Sequence, residues 1–73
     1  MITKEEATRQ VKNILPFIAM HAENKGLGFD YGYLMQQDMW EAEFYNEEGK
    51  TIEYYKESTQ NELLTKILNK NEE

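Results

Sequence analysis

The sequence predicts an α+β domain in the order α-β-β-β-α, with two helices packed on one face of a three-stranded antiparallel meander. Three observations predict it. Two stretches repeat apolar residues at helical spacing, and each opens on a Thr-x-x-Glu pattern, Thr3 with Glu6 and Thr59 with Glu62. Between them the chain alternates apolar and polar residues with a period of two, punctuated by turn residues. At 73 residues the whole chain, 1–73, makes one small domain.

The elements follow in order. The Thr3 hydroxyl is placed to accept the amide of Glu6, and Ile2 and Ala7 hold the positions of a weak hydrophobic staple. Ala7, Val11, Ile14, Leu15, Ile18 and Ala22 then share one face, with Arg9 and Lys12 opposite. Pro16 interrupts this stripe. It lacks an N–H and crowds the carbonyl four residues back, an interior cost of about 3 kcal/mol. One reading is a single kinked helix from about Lys4 to Glu23. The other is a short helix, a break near residues 13–15, and a second helix with Pro16 in its first turn. The stripe keeps phase across the proline, which favours the kink. Gly26 ends the helix, and Lys25 suits its negative end.

Phe29, Tyr31, Tyr33 and Met35 alternate with Asp30, Gly32, Leu34 and Gln36 in a first strand. Trp40, Ala42 and Phe44 alternate with Glu41, Glu43 and Tyr45 in a second. Ile52 and Tyr54 alternate with Thr51, Glu53 and Tyr55 in a third. A three-residue loop, Glu47-Glu48-Gly49 with Gly49 left-handed, pairs Phe44 with Ile52 and Ala42 with Tyr54. The first turn then needs an even number of residues, such as Gln37-Asp38, which sets Tyr33 beside Ala42 and Tyr31 beside Phe44. Leu63, Leu64, Ile67 and Leu68 form the stripe of a final helix, with residues 69–73 expected to fray.

In this register the open face carries Glu41, Glu43, Tyr45, Glu53 and Tyr55, with Leu34 beside them. Glu43 falls opposite Glu53, a like-charge pairing that destabilises a sheet. Residues 38–57 hold seven acidic side chains against two lysines, a net of −5 within a chain total of −6. An acidic, tyrosine-studded face suits docking on a basic protein surface, because spaced carboxylates resemble phosphates and tyrosines give rigid contact area. The competing reading is an ordinary solvated sheet face.

Composition narrows the classes. With no cysteine there is neither a disulfide nor a Cys-based zinc site. The longest apolar run, residues 14–20, is far shorter than a membrane span, and the acidic start lacks a signal-peptide layout. A cytoplasmic protein is therefore expected. One arginine and a net −6 disfavour direct nucleic-acid binding and anionic membranes. His21 is the only histidine, and it has no carboxylate four residues away on its helix; it reads as a helix-edge residue. Ser58 reads as part of a helix start. No metal-binding, phosphate-binding or catalytic motif occurs, so no cofactor, no metal and no enzymatic activity are expected. Trp40, Phe44, Tyr31, Tyr33 and Tyr54 alternate in phase with core positions, which assigns them to packing. A second expectation is a homodimer through the free edges of the meander, with Leu27, Leu34 and Met39 contributing.

The element order and size resemble the double-stranded-RNA-binding domain. That family grips phosphates with lysines at the start of its last helix. Here that place holds Ser58-Thr59-Gln60-Asn61-Glu62, without a positive charge. Length, acidity and element order also resemble phage-encoded inhibitors that mimic nucleic acid, including certain anti-CRISPR proteins. That resemblance implies an inhibitor occupying a basic site that normally holds nucleic acid.

Overall fold

A computed structural model describes residues 2–70 and gives the α+β architecture. Helix α1 spans Lys4–Gln10, a 3-10 turn Val11–Asn13, and helix α2 Leu15–Lys25. Strands β1 (Gly28–Leu34), β2 (Met39–Tyr45) and β3 (Thr51–Glu57) form the meander, ordered β1-β2-β3 and antiparallel throughout. Helix α3 spans Gln60–Lys70 and packs on the sheet. Of the end expected to fray, residues 69 and 70 close α3, and residues 71–73 lie outside the described residues. Among the described residues no helix is long and apolar enough to cross a membrane.

The first helical segment is split, not kinked. Ile14 leaves the helical region at φ −121° and ψ 2°, and α2 begins beyond it with Pro16 in its first turn. The reason is local. In a first turn an amide needs no intrahelical partner, so the missing N–H of Pro16 costs nothing there. The Ile14 carbonyl accepts from Phe17 and Ile18 at 3.0 and 3.1 Å, so it remains satisfied. The apolar stripe survives the break: Ala7, Ile14, Ile18 and Ala22 are all buried. Thr3 caps α1 through its hydroxyl at 3.1 Å from the Glu6 amide, and Thr59 caps α3 through its own at 3.1 Å from the Glu62 amide. Gly26 closes α2 at φ +67°, with the Leu27 amide returning 2.9 Å to the Ala22 carbonyl.

The first hairpin loop is even, as its face pattern requires, but has four residues (35–38) where two were expected. Leu34 therefore pairs with Met39, Tyr33 with Trp40, Tyr31 with Ala42 and Phe29 with Phe44. A shift of two leaves the side chains of β1 on their expected faces, while Met35 and Gln36, expected in the strand, join the loop, where Met35 is exposed. Tyr31 and Tyr33 both pack on Trp40, with ring centroids 5.8 and 4.9 Å away.

The second hairpin corrects the expected register. Its turn is the expected one: the Asn46 amide donates to the Lys50 carbonyl at 2.9 Å, and Gly49 sits at φ +83°. Tyr45 accordingly pairs with Thr51. The next pair is Phe44 with Glu53, so Ile52 is an extra residue in β3. This bulge reverses every later side chain of the strand. Ala42 pairs with Tyr55, not Tyr54, and Glu43 faces Tyr54, not Glu53. Ile52 and Tyr54 are about half exposed, at 50% and 51%, and Tyr55 is buried. Tyr54 is thus not a core residue.

Electrostatics explains the choice. The helices hang cations over the inner side of β3, Lys25 from α2 and Lys66 from α3, and α2 adds the His21 imidazole. The bulge offers them Glu53 and Glu57. A regular strand would turn Lys56 toward Lys66 and leave Lys25 facing Ile52. The core between sheet and helices is Ile14, Ile18, Ala22, Trp40, Ala42, Phe44, Tyr55, Leu63 and Ile67. Phe44, Ile18, Leu63 and Ile67 are fully enclosed.

Candidate functional site

The five residues expected on one docking face divide between two faces. Glu41, Glu43 and Tyr45 stand on the open side of β2, because β2 alternates regularly with Trp40, Ala42 and Phe44 buried beneath. Glu53 and Tyr55 lie on the helix-covered side, carried there by the Ile52 bulge.

On the open face the carboxylates form a row across the strands. Asp30 of β1 lies directly opposite Glu43 of β2, the like-charge pairing that the expected register gave to Glu53. Glu41 lies between Gly32 and Lys56. The outward-turned β3 residues hold this row in place. The Tyr54 hydroxyl donates to Glu41 at 2.7 Å, and the Thr51 hydroxyl donates to Glu43. The Glu41 carboxylate, with Glu43 beside it, raises the pKa of the Tyr54 phenol, because ionising it would add a third negative charge. The Lys56 ammonium bonds sideways to the Gln37 side chain at 2.8 Å. Tyr45 lies over Gly28, where a Cβ would run into its ring, and its hydroxyl reaches the Phe29 carbonyl at 3.4 Å.

The covered face holds a second cluster that sequence reasoning missed. Glu53 accepts from the Tyr55 hydroxyl at 2.5 Å and from Lys25 at 2.9 Å, and its carboxylate lies 3.2 Å from His21 Nε2. The side chains of Glu53 and His21 are each only 10% exposed. His21 is therefore not a helix-edge residue; its ring also stands edge-on to Phe44 at 4.7 Å. Burial pushes the Glu53 carboxyl upward, but hydrogen bonds from Tyr55, Lys25 and His21 outweigh it and hold the pKa at about 2. Burial, and then the contact with this carboxylate, raise the Tyr55 phenol. One signal for this cluster was in the sequence. His21 and Lys25 stand four apart on one helical face, which marks a place for a carboxylate from elsewhere in the fold. Its members are engaged with one another, so the cluster reads as an internal clasp between α2 and β3.

Among the described residues no group of three or more histidines, aspartates or glutamates is arranged to hold a metal ion. Comparison of the chain with protein-family models, with curated proteins and with solved structures finds no match.

Proposed function

We propose that this chain is a non-enzymatic binding module whose open sheet face docks on a basic protein surface. The observation that carries the reading is the Asp30–Glu43 pairing, with Glu41 one step along β2. Like charges placed opposite one another cost stability in the isolated sheet, and a cationic partner would remove that cost. The half-exposed Tyr54 stands on the same face and supplies apolar contact beside the charges. The natural target is a surface that otherwise binds phosphates, which makes competition with nucleic acid the form of inhibition expected.

The test is capture from nuclease-treated lysate with the native chain and the Glu41→Gln/Glu43→Lys variant side by side. The lysine introduced at position 43 would face Asp30, so this variant keeps a sound sheet. The expected outcome is a basic protein retained by the native chain, lost with the variant, and released by added DNA or RNA. Equal retention by both chains, or retention that nucleic acid does not disturb, would overturn the reading. Glu53→Lys does not belong in this test, since Glu53 faces inward.

A further inference from the structure

The two edges of the meander are not alike. β3 carries the devices that discourage pairing: a bulge at Ile52 and the inward-turned charges Glu53 and Glu57. β1 carries none of them. It is seven residues long, Gly28–Leu34, and pairs with β2 without a break in register. It contains no proline and no lysine, and Asp30 is its single charge.

The direction of its backbone groups follows from the turn. Asn46 bonds across to Lys50, so its backbone faces β3. By alternation Tyr45, Glu43, Glu41 and Met39 face β1, where their partners are Gly28, Asp30, Gly32 and Leu34. That leaves the amides and carbonyls of Phe29, Tyr31 and Tyr33 pointing away from the sheet. Among the described residues the Phe29 carbonyl reaches only the Tyr45 hydroxyl, at a long 3.4 Å. The side chains of these three aromatics lie on the covered face, yet all are half-buried, whereas Trp40, Ala42 and Phe44 beside them in β2 are buried.

We propose that two copies of this chain associate through their β1 edges, antiparallel, about a two-fold axis at Tyr31, so that the two meanders form one continuous sheet. The occupant is a second copy because the strand complements itself in this register. Tyr31 meets Tyr31 of the second copy through outward amides and carbonyls, and Phe29 meets Tyr33 in the same way. Asp30 falls opposite Gly32, where a side chain would find open space. Leu34 falls beside Gly28 and thus against the Tyr45 ring that covers it. Moving the axis to Asp30 would set that carboxylate against its own copy, next to Glu43. Moving it to Gly32 would set Asp30 against Leu34 and leave Phe29 without a partner. Charge and apolar contact both select Tyr31.

The experiment is sedimentation of the native chain and two variants over roughly 10 µM to 1 mM, the range in which a small strand-paired interface associates. The native chain is expected to pass from monomer to dimer. Gly32→Glu sets a carboxylate against Asp30 at both symmetric places and is expected to weaken association roughly tenfold. Asp30→Lys/Gly32→Glu makes both places opposite in charge and is expected to restore it. Amide exchange of the native chain gives a readout that needs no variant: Phe29, Tyr31 and Tyr33 are expected to lose protection on dilution while β2 does not. A chain that stays monomeric throughout, a dimer that Gly32→Glu leaves unchanged, a double variant that fails to re-associate, or edge amides indifferent to dilution would each overturn the proposal.

Discussion

Glu53 shows how much one residue can decide here. It occupies an inward place in β3 that a hydrocarbon side chain usually fills, and it is held there by Tyr55, Lys25 and His21. Such a group is costly to break and inexpensive to keep, because its partners are already ordered. Its folded pKa of about 2 lies below the ordinary 4.5, so the fold favours the charged form. That stabilisation is present in full above the ordinary value and is lost as pH falls from about 4.5 to about 2. Glu53→Gln keeps the shape and removes the charge. It is expected to destabilise the protein by about 2 kcal/mol at neutral pH and to flatten the loss of stability across that acid window. Urea unfolding followed by the fluorescence of Trp40, the only tryptophan and a buried one, measures both. An unchanged acid limb in the variant would assign the pH dependence to other carboxylates.

At the scale of elements, the legible parts were those written in local chemistry. Both capping threonines, the Gly26 stop and the Gly49 turn lie where the residue types put them, because each depends on neighbours three or four positions away. The break before Pro16 was harder to read, because the buried stripe keeps phase whether the helix bends or divides. The Ile52 bulge left no local mark. Ile52-Glu53-Tyr54-Tyr55 offers an apolar residue in either phase, and the deciding partners, His21 and Lys25, lie some thirty residues away. That one residue moved two of the five residues of the expected docking face to the other side of the sheet, leaving Glu41, Glu43 and Tyr45 in place and taking Glu53 and Tyr55. The register is open to a direct test. Tyr55→Ala is expected to cost about 3 kcal/mol or more and Ile52→Ala less than about 0.5 kcal/mol, the difference between emptying a core position and trimming an exposed one. A regular strand would reverse the order, so a pair of unfolding curves decides it.

For the whole molecule the governing quantity is a net charge of −6 on 73 residues, most of it in the second hairpin. Two associations are proposed for this surface, and charge acts on them with opposite sign. A basic partner is drawn to the open face by attraction that salt screens. A second copy of the chain is as negative as the first, so salt screens a repulsion instead, while the backbone bonds and aromatic contacts along β1 are little affected. Raising salt from about 0.05 M to about 0.5 M shortens the Debye length from roughly 14 Å to roughly 4 Å, less than the spacing between many charges on facing surfaces. Over that range retention of the basic partner is expected to fall by tenfold or more, and the dimer constant to tighten. The two measurements need the same protein and the same buffers. Partner binding that ignores salt would place the contact away from Glu41 and Glu43. Self-association that weakens with salt would mean that an ion pair, not the β1 edge, holds the copies together. The open face and the β1 edge meet at Asp30, so a dimer would set two acidic faces side by side on one sheet. A partner with an extended basic surface would then be gripped at two places at once, and its retention would rise more steeply than in proportion to protein concentration across the dimerisation range.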